Sequence, residues 1–329
     1  MLGRVARLLG RRSGAGAHPA GPLTPDHVVW AYRLFLDREP ENRDVVLEKL
    51  ASNPNTAVLR GGFMGSPEFQ RTNPALAYFS ESTVVIKEVG DGLRLFVDLQ
   101  DYLVAHPVVR GVYEPVETAF VRSRVAPGQT VVDVGANVGY FSVLLAHLVG
   151  PAGRVHAFEP LEGNVRLLTA SLRENGFAGR VVVHRAAVGA APGWGDVVVA
   201  LSHTSAGTYL DAGRGGPPAG HAVQRVPVVS LDGADLPPPV RFVKVDAEGA
   251  ELLVLHGARG LLRRDRPTLL CEINPPQLAL VSGCRPAAFV AEVESYGYRC
   301  MALGDGAPHP DDGAPDRPDT RSVVFEPRP

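Results

Sequence analysis

The chain has 329 residues, enough for one large domain or two modest ones with a well-buried core. A net charge of −2 excludes the strongly basic balance of a nucleic-acid binder, and three cysteines with no CxxC pair exclude a disulfide framework and argue against structural zinc. Cys271, Cys284 and Cys300 suit a reducing compartment, and no apolar run reaches membrane-spanning length, so a cytoplasmic protein without stable membrane insertion is expected.

Residues 1–23 read as a disordered basic tail carrying Arg4, Arg7, Arg11 and Arg12. Residues 24–79 read as a small all-helical module. Thr24 is the expected N-cap ahead of Pro25, and Val28, Tyr32 and Phe35 recur at helical spacing. Asn53-Pro54 breaks the pattern, and Ser66-Pro67-Glu68 looks like a further helix start. The stretch YRLFLDREP with the later GSPEF resembles a short helical repeat attached to carbohydrate-active and surface-associated bacterial enzymes.

Residues 80–329 form the second expected domain. TVVIKEV, GDG and LRLFVDL predict a β-hairpin, and a helical stretch follows at about 114–126. Strand and helix then alternate. QTVVDVG is a strand, and Phe141, Leu144, Leu145 and Leu148 make one helix face. GRVHAFE is a second strand, and Leu161, Val165, Leu168 and Leu172 stripe a second helix before RVVVHRAAVG. The rhythm pauses at about 190–230, read as an insertion with short β runs. It resumes with VRFVKVD, one helix over EGAELLVLHGARGLL, the strand RPTLLCEI, a helix from Pro286 to Tyr296, and two last strands, YRCMAL and RSVVFE. The loop GDGAPHPDDGAPDRPDT between those strands is too rich in turn formers to be expected to pack. Such alternation predicts a mostly parallel sheet covered by helices, with ligands at the carboxyl ends of its strands.

The turn VVDVGANVGYF is the expected nucleotide site. A dinucleotide site places a diphosphate over such a turn, and the carboxylate of Asp133 would oppose that anion. S-adenosylmethionine instead offers an ammonium, which Asp133 can hold by a charge-assisted hydrogen bond. Gly135 and Gly139 permit close backbone approach, and Asn137 tolerates left-handed geometry. Glu159 ends the second strand, where a carboxylate accepts both ribose hydroxyls. On these residues S-adenosylmethionine is favoured over a nicotinamide dinucleotide.

The blocks DVGANVGYFS, AFEP, HRAAVG, VPVVSLD and VKVDAEGAELLVLHGA, with GVYEPVE upstream, resemble the FkbM-type methyltransferases in order and spacing over about residues 85–326. The resemblance implies a Rossmann-like class I methyltransferase sheet, mostly parallel with the last strand antiparallel. It implies S-adenosylmethionine as donor and a hydroxyl acceptor on a sugar, polyketide or other secondary metabolite. Cofactor roles carry over to Asp133, Gly135, Asn137, Gly139 and Glu159, with Ala136, Tyr140, Phe141, Pro160 and Ala187 beside them. The helical module and the loop at 304–320 fall outside the resemblance.

For catalysis, Asp246 at the end of VKVD is expected to act as base or to orient the acceptor, with Glu248 as a second acidic contact and Lys244 on the same strand face as Asp246. Glu248 and Glu251 also suit a helix N-terminus for purely structural reasons. Glu272 and Asn274 end the next strand and are expected to face the same region, His203 lies in the insertion, which is expected to cover the acceptor, and Tyr113 and Glu114 precede the core and are candidates to close over the cofactor. His184 and His256 read as packing or surface positions. No local metal motif is present, although Asp246, Glu248 and Glu272 together are of a type that binds Mg²⁺. A nicotinamide-dependent oxidoreductase and a non-catalytic binding protein working through the helical module are the competing expectations.

Overall fold

The structure, a computed structural model, describes residues 23–36, 38–53, 56–64, 66, 68, 83–111, 113–200, 208–211, 220–304, 307–310 and 318–329. The expected basic tail up to residue 22, Pro67 of the helix start at Ser66-Pro67-Glu68, the Phe35 side chain and His203 lie outside the described residues. The chain divides into two units, Met1–Ser82 and Thr83–Pro329.

The first unit contains α1 (Pro25–Leu36), α2 (Arg43–Ser52) and α3 (Thr56–Met64). Val28, Tyr32, Val46, Leu59 and Phe63 make its own apolar core, with Tyr32 edge-on to Phe63 at 4.8 Å. Asn42 caps α2 by accepting the Val45 N–H at 3.0 Å.

The second unit opens with the hairpin β1 (Val84–Glu88) and β2 (Arg94–Asp98), then α4 (Tyr102–Val109) and α5 (Pro115–Arg124). The alternating part follows as β3 (Thr130–Val134), α6 (Tyr140–Val149), β4 (Arg154–Phe158), α7 (Glu162–Glu174) and β5 (Val181–His184). The insertion supplies β6 (Ala187–Val188), β7 (Gly193–Ala200), β8 (Tyr209–Leu210) and β9 (His221–Val229). The core resumes with β10 (Val240–Val245), α8 (Glu251–His256), α9 (Arg259–Asp265), β11 (Thr268–Ile273), α10 (Pro275–Val281) and α11 (Pro286–Ser295). It ends with β12 (Tyr298–Gly304), β13 (Ala307–Pro310) and β14 (Arg321–Pro327).

The large sheet has eight strands in the order β13-β12-β14-β11-β10-β3-β4-β5. Strands β5, β4, β3, β10 and β11 pair in parallel, and β14 is antiparallel between β11 and β12. The chain runs outward from β3 to β5 and returns to β10 on the other side of β3. That reversal puts the switch point, and the crevice above it, between β3 and β10. Apolar side chains cover both faces: Leu144, Leu145 and Leu168 pack on one, Val254, Leu261 and Phe289 on the other.

Two sequence expectations need correction. EGAELLVLHGARGLL is two helices, because the Asp232 carboxylate accepts the Gly260 and Leu261 N–H groups at 2.8 and 2.7 Å and starts a new helix N-terminus there. The proline- and glycine-rich loop is not wholly unpacked: Ala307–Pro310 pairs with β12 as β13. Pro275 and Pro276 open α10, where a missing N–H costs nothing, and Asn274 caps it through Gln277 N at 3.3 Å. Among the described residues no helix is long and apolar enough to cross a membrane.

Candidate active site

A cavity of about 350 Å³ lies over the carboxyl ends of the parallel strands. Val134 and Gly135 come from β3, Phe158 to Leu161 from β4, Ala186 to Val188 from the start of the insertion, and Asp246 to Glu248 from β10. Glu272 of β11, Leu103 and Pro107 of α4, and Tyr113 and Glu114 close it on one side. The insertion closes it on another through Val197, Thr208, Tyr209 and Leu210.

The turn after β3 folds as its residues dictate. Gly135 has φ +78°, and a Cβ there would lie 1.8 Å from the Asp246 carbonyl oxygen. Asn137 follows in the left-handed region at φ +51°. Its N–H donates to Glu159 Oε2 at 2.9 Å, which ties the turn to the end of β4. Glu159 Oε1 accepts from Leu161 N at 2.9 Å and Asn164 Nδ2 at 3.2 Å. Of the roughly four acceptor sites of a carboxylate, one therefore stays available toward the cavity. Burial pushes the Glu159 carboxyl up to about 7, although these hydrogen bonds oppose the shift.

Of the expected cofactor residues, Gly135, Asn137, Glu159, Pro160 and Ala187 line the cavity. The other five do not. Asp133 is fully buried within β3, where its Oδ2 accepts the Ser142 hydroxyl at 2.6 Å. Burial raises its pKa, and the nearby Lys244 pulls it back. Its Oδ1 is buried and has no hydrogen-bond partner among the described residues, and Asp133 is not among the residues that line the cavity. Gly139 serves helix packing, since a Cβ there would lie 2.5 Å from Leu168 Cδ1. Ala136 is buried, and Tyr140 bonds Thr118 at 3.1 Å and packs on Tyr113. Phe141 lies beneath the Lys244 ammonium at 4.7 Å.

The acidic side centres on Lys244, whose Nζ donates to Asp246 Oδ2 at 2.9 Å. Asp246 and Glu248 face the main cavity, whereas Lys244 lines a smaller adjoining pouch of about 100 Å³ with Glu114, Glu117 and Glu272. Burial alone would lower the Lys244 pKa, but Asp246, Glu114 and Asp133 outweigh it and hold the ammonium above its usual value. Glu114 is pushed up to about 7 by burial, restrained by Lys244 and reinforced by Asp246. Burial, then repulsion from Asp246 and Glu248, pushes Glu272 up to about 9. Glu114, Asn137 and Glu248 all adopt positive φ, and all line the cavity. Such strain gathers where surrounding structure enforces a site.

Other acids and histidines have structural tasks. Glu251 accepts the Ala247 and Gly249 N–H groups at 3.0 and 3.1 Å and holds the turn after β10. Asn274 is a helix cap. His184 stacks on Phe158 at 4.2 Å, and His256 meets Glu292 at 3.4 Å. Among the described residues no group of three or more His, Cys, Asp or Glu is arranged to hold a metal ion.

Sequence reasoning underrated Glu114 and missed Leu103, Pro107 and Thr208 to Leu210. One sign was legible for Glu114: a glutamate sits in the N-cap place of α5, where Ser, Thr, Asp or Asn is preferred, and makes no side-chain cap. The insertion residues carry no local motif, because their role comes from the sheet that folds them back.

The family profile described as the methyltransferase FkbM domain matches residues 133–300, from the middle of β3 to β12. Over 57 residues the chain is 46% identical to protein-L-isoaspartate O-methyltransferase of Aeropyrum pernix, covering 17% of this chain and 22% of that protein. Over 55 residues it is 49% identical to 31-O-demethyl-FK506 methyltransferase FkbM of Streptomyces tacrolimicus, covering 17% of this chain and 21% of that protein. The matched stretches thus span about a fifth of the length of these curated relatives. Methyltransferase FkbM from Methylobacillus flagellatus aligns over 90% of this chain and 58% of its own, with 20% identity and a TM-score of 0.40. TYW2 of M. jannaschii, solved in complex with AdoMet, aligns over 75% of this chain and 87% of its own, with 15% identity and a TM-score of 0.42. Because the profile takes in just over half of the 329 residues, including β3, β4, β10 and β11 that build the cavity, the chain belongs to the FkbM methyltransferase domain family.

Proposed function

We propose that the chain is an S-adenosylmethionine-dependent O-methyltransferase acting on a hydroxyl of a small molecule, such as a sugar, polyketide or other secondary metabolite. The observation that carries this reading is the division of one cavity into two chemically different ends. Glu159 and Asn137 mark one end, and Glu114, Asp246 and Glu272 the other.

The donor, once bound, supplies a methyl group already activated on a positively charged sulfonium. The Glu159 carboxylate, fixed by three internal donors, accepts from one ribose hydroxyl through its remaining site. Pro160, Leu161, Ala187 and Val188 give the apolar walls for the base. At the other end, Asp246 is oriented by Lys244 and accepts from the acceptor hydroxyl. Glu114 takes the hydroxyl proton as the methyl group transfers and then releases it to solvent. A carboxyl held near 7 suits that task, since a base works best when its pKa lies near the working pH. Alignment of the reactants supplies roughly 7–11 kcal/mol of the barrier reduction in such transfers. The free cysteines fit a cytoplasmic setting.

Calorimetry with S-adenosylhomocysteine tests the donor end, and a screen of hydroxylated sugars and natural products with labelled donor tests the acceptor end. Absence of S-adenosylhomocysteine binding to the wild type would overturn the reading.

A further inference from the structure

Strand β8 of the insertion runs along the cavity wall with Thr208, Tyr209 and Leu210. Leu210 packs against a small apolar cluster of Leu161, Ala187, Val197 and Val226. Leu161 follows Glu159 by two residues, and Ala187 opens the insertion, so this wall adjoins the carboxylate assigned above to the ribose. In an extended segment Thr208 and Leu210 face the same side. The Thr208 Oγ1 is buried and has no hydrogen-bond partner among the described residues. Leu161, Ala187, Val188, Val197 and Leu210, which line the same cavity, offer no side-chain polar atom. A buried hydroxyl without a partner is costly. Rotation about the single Cα–Cβ bond turns it into the cavity that the residue lines.

We propose that Thr208 is a specificity-determining residue for the donor, its hydroxyl accepting a hydrogen bond from the 6-amino group of the purine. The inference rests on the reading of this cavity as a donor site. The apolar wall covers the purine faces, and Thr208 supplies a polar atom where the base presents its polar edge. The insertion therefore does more than shield the cavity: it completes the base pocket from residues remote in sequence from the turn after β3.

The test is calorimetry on the full chain with two probes, S-adenosylhomocysteine and the analogue in which hydrogen replaces the purine 6-amino group. The wild type is expected to prefer S-adenosylhomocysteine about tenfold, the upper range for one neutral hydrogen bond. Thr208→Val is expected to bind both probes alike, at the weaker level, and Thr208→Ser to restore the preference. Thermal melting establishes that each variant is folded; if Thr208→Val is not, Thr208→Ala takes its place. A wild type that binds both probes equally, or a folded variant without the hydroxyl that keeps the preference, overturns the assignment of Thr208 while leaving the donor site standing. A wild type that binds neither probe removes the donor reading itself, and the assignment with it.

Discussion

The Lys244 ammonium lies 2.9 Å from the Asp246 carboxylate, two residues along the same strand, and only 5% of Lys244 is exposed. Its register partner on β3 is Asp133, so the buried cation stands between the acid under the donor turn and the acids of the acceptor end. Removing one partner of a buried charge set leaves the others uncompensated, which costs about 3–5 kcal/mol. Lys244→Met is expected to lose stability on that scale in urea unfolding. A loss below about 1 kcal/mol would mean that the acids simply take up protons and that Lys244 does not organise the site.

Glu114→Gln separates chemistry from binding. S-adenosylhomocysteine affinity is expected to stay within about twofold, because Glu114 groups with Lys244 and Asp246 and not with Glu159. Methyl transfer to any acceptor found is expected to fall about 10²–10⁴-fold. The wild-type rate rises as pH passes about 7, where the carboxyl ionises, and the variant lacks that limb. Stability runs the other way. The folded pKa lies above the ordinary 4.5, so the contribution of Glu114 is fully present below 4.5 and is lost as pH rises through about 7. Glu114→Gln should therefore be the more stable protein at pH 8, by about 3 kcal/mol, as read by denaturant titration.

The sheet was legible because its strands and helices carry their own periods. Val132 and Val134 in β3 and Leu168 and Leu172 in α7 are buried where the pattern puts them. The site was legible only where one local turn builds it. Gly135, Asn137 and Glu159 come from a strand–turn–helix and the next strand end, and they line the cavity. Asp133 was harder to place, because sequence distance from a glycine does not tell which way a strand residue points. Alternation put the carboxylate under Ser142, inside the packed layer. Thr208 was hidden for a different reason: it reaches the cavity beside a strand whose placement depends on non-local pairing.

Gly135 and Gly163 should respond oppositely to alanine. Gly135 holds φ +78° with the Asp246 carbonyl where a methyl would go, so Gly135→Ala combines left-handed strain with overlap of backbone atoms. Each is worth about 1–3 kcal/mol, and together they are expected to unfold or severely destabilise the chain. Gly163 lies in the first turn of α7, with nothing within 4 Å of an added Cβ and an ordinary φ. Gly163→Ala should stabilise by about 0.5–1 kcal/mol through helix propensity and a less flexible unfolded chain. Thermal melts of the pair check both signs, and equal effects would contradict the close approach of β10 to the turn.

His156 and His184 sit on neighbouring strands, with Nδ1 of one 3.1 Å from Nε2 of the other, and His184 stacked on Phe158 in the cavity floor. One N–H between the two nitrogens satisfies that contact, and protons on both would set two donors against each other. Burial first, and then His184, lowers the His156 pKa from 6.5 to about 4. A base with a depressed folded pKa favours the unfolded state once protons become available. Stability from this pair is complete above 6.5 and is lost as pH falls toward about 4, by about 2 kcal/mol. Replacing His156 by Phe removes the titration while keeping an aromatic ring beside His184. The slope of unfolding free energy between pH 6.5 and 4 is therefore expected to flatten in His156→Phe. Hydrogen exchange of β4 and β5 amides at pH 4.5 should then be slower than in the wild type. An unchanged slope would show that the two rings separate on acidification at no cost, and that the stack on Phe158 does not hold them together.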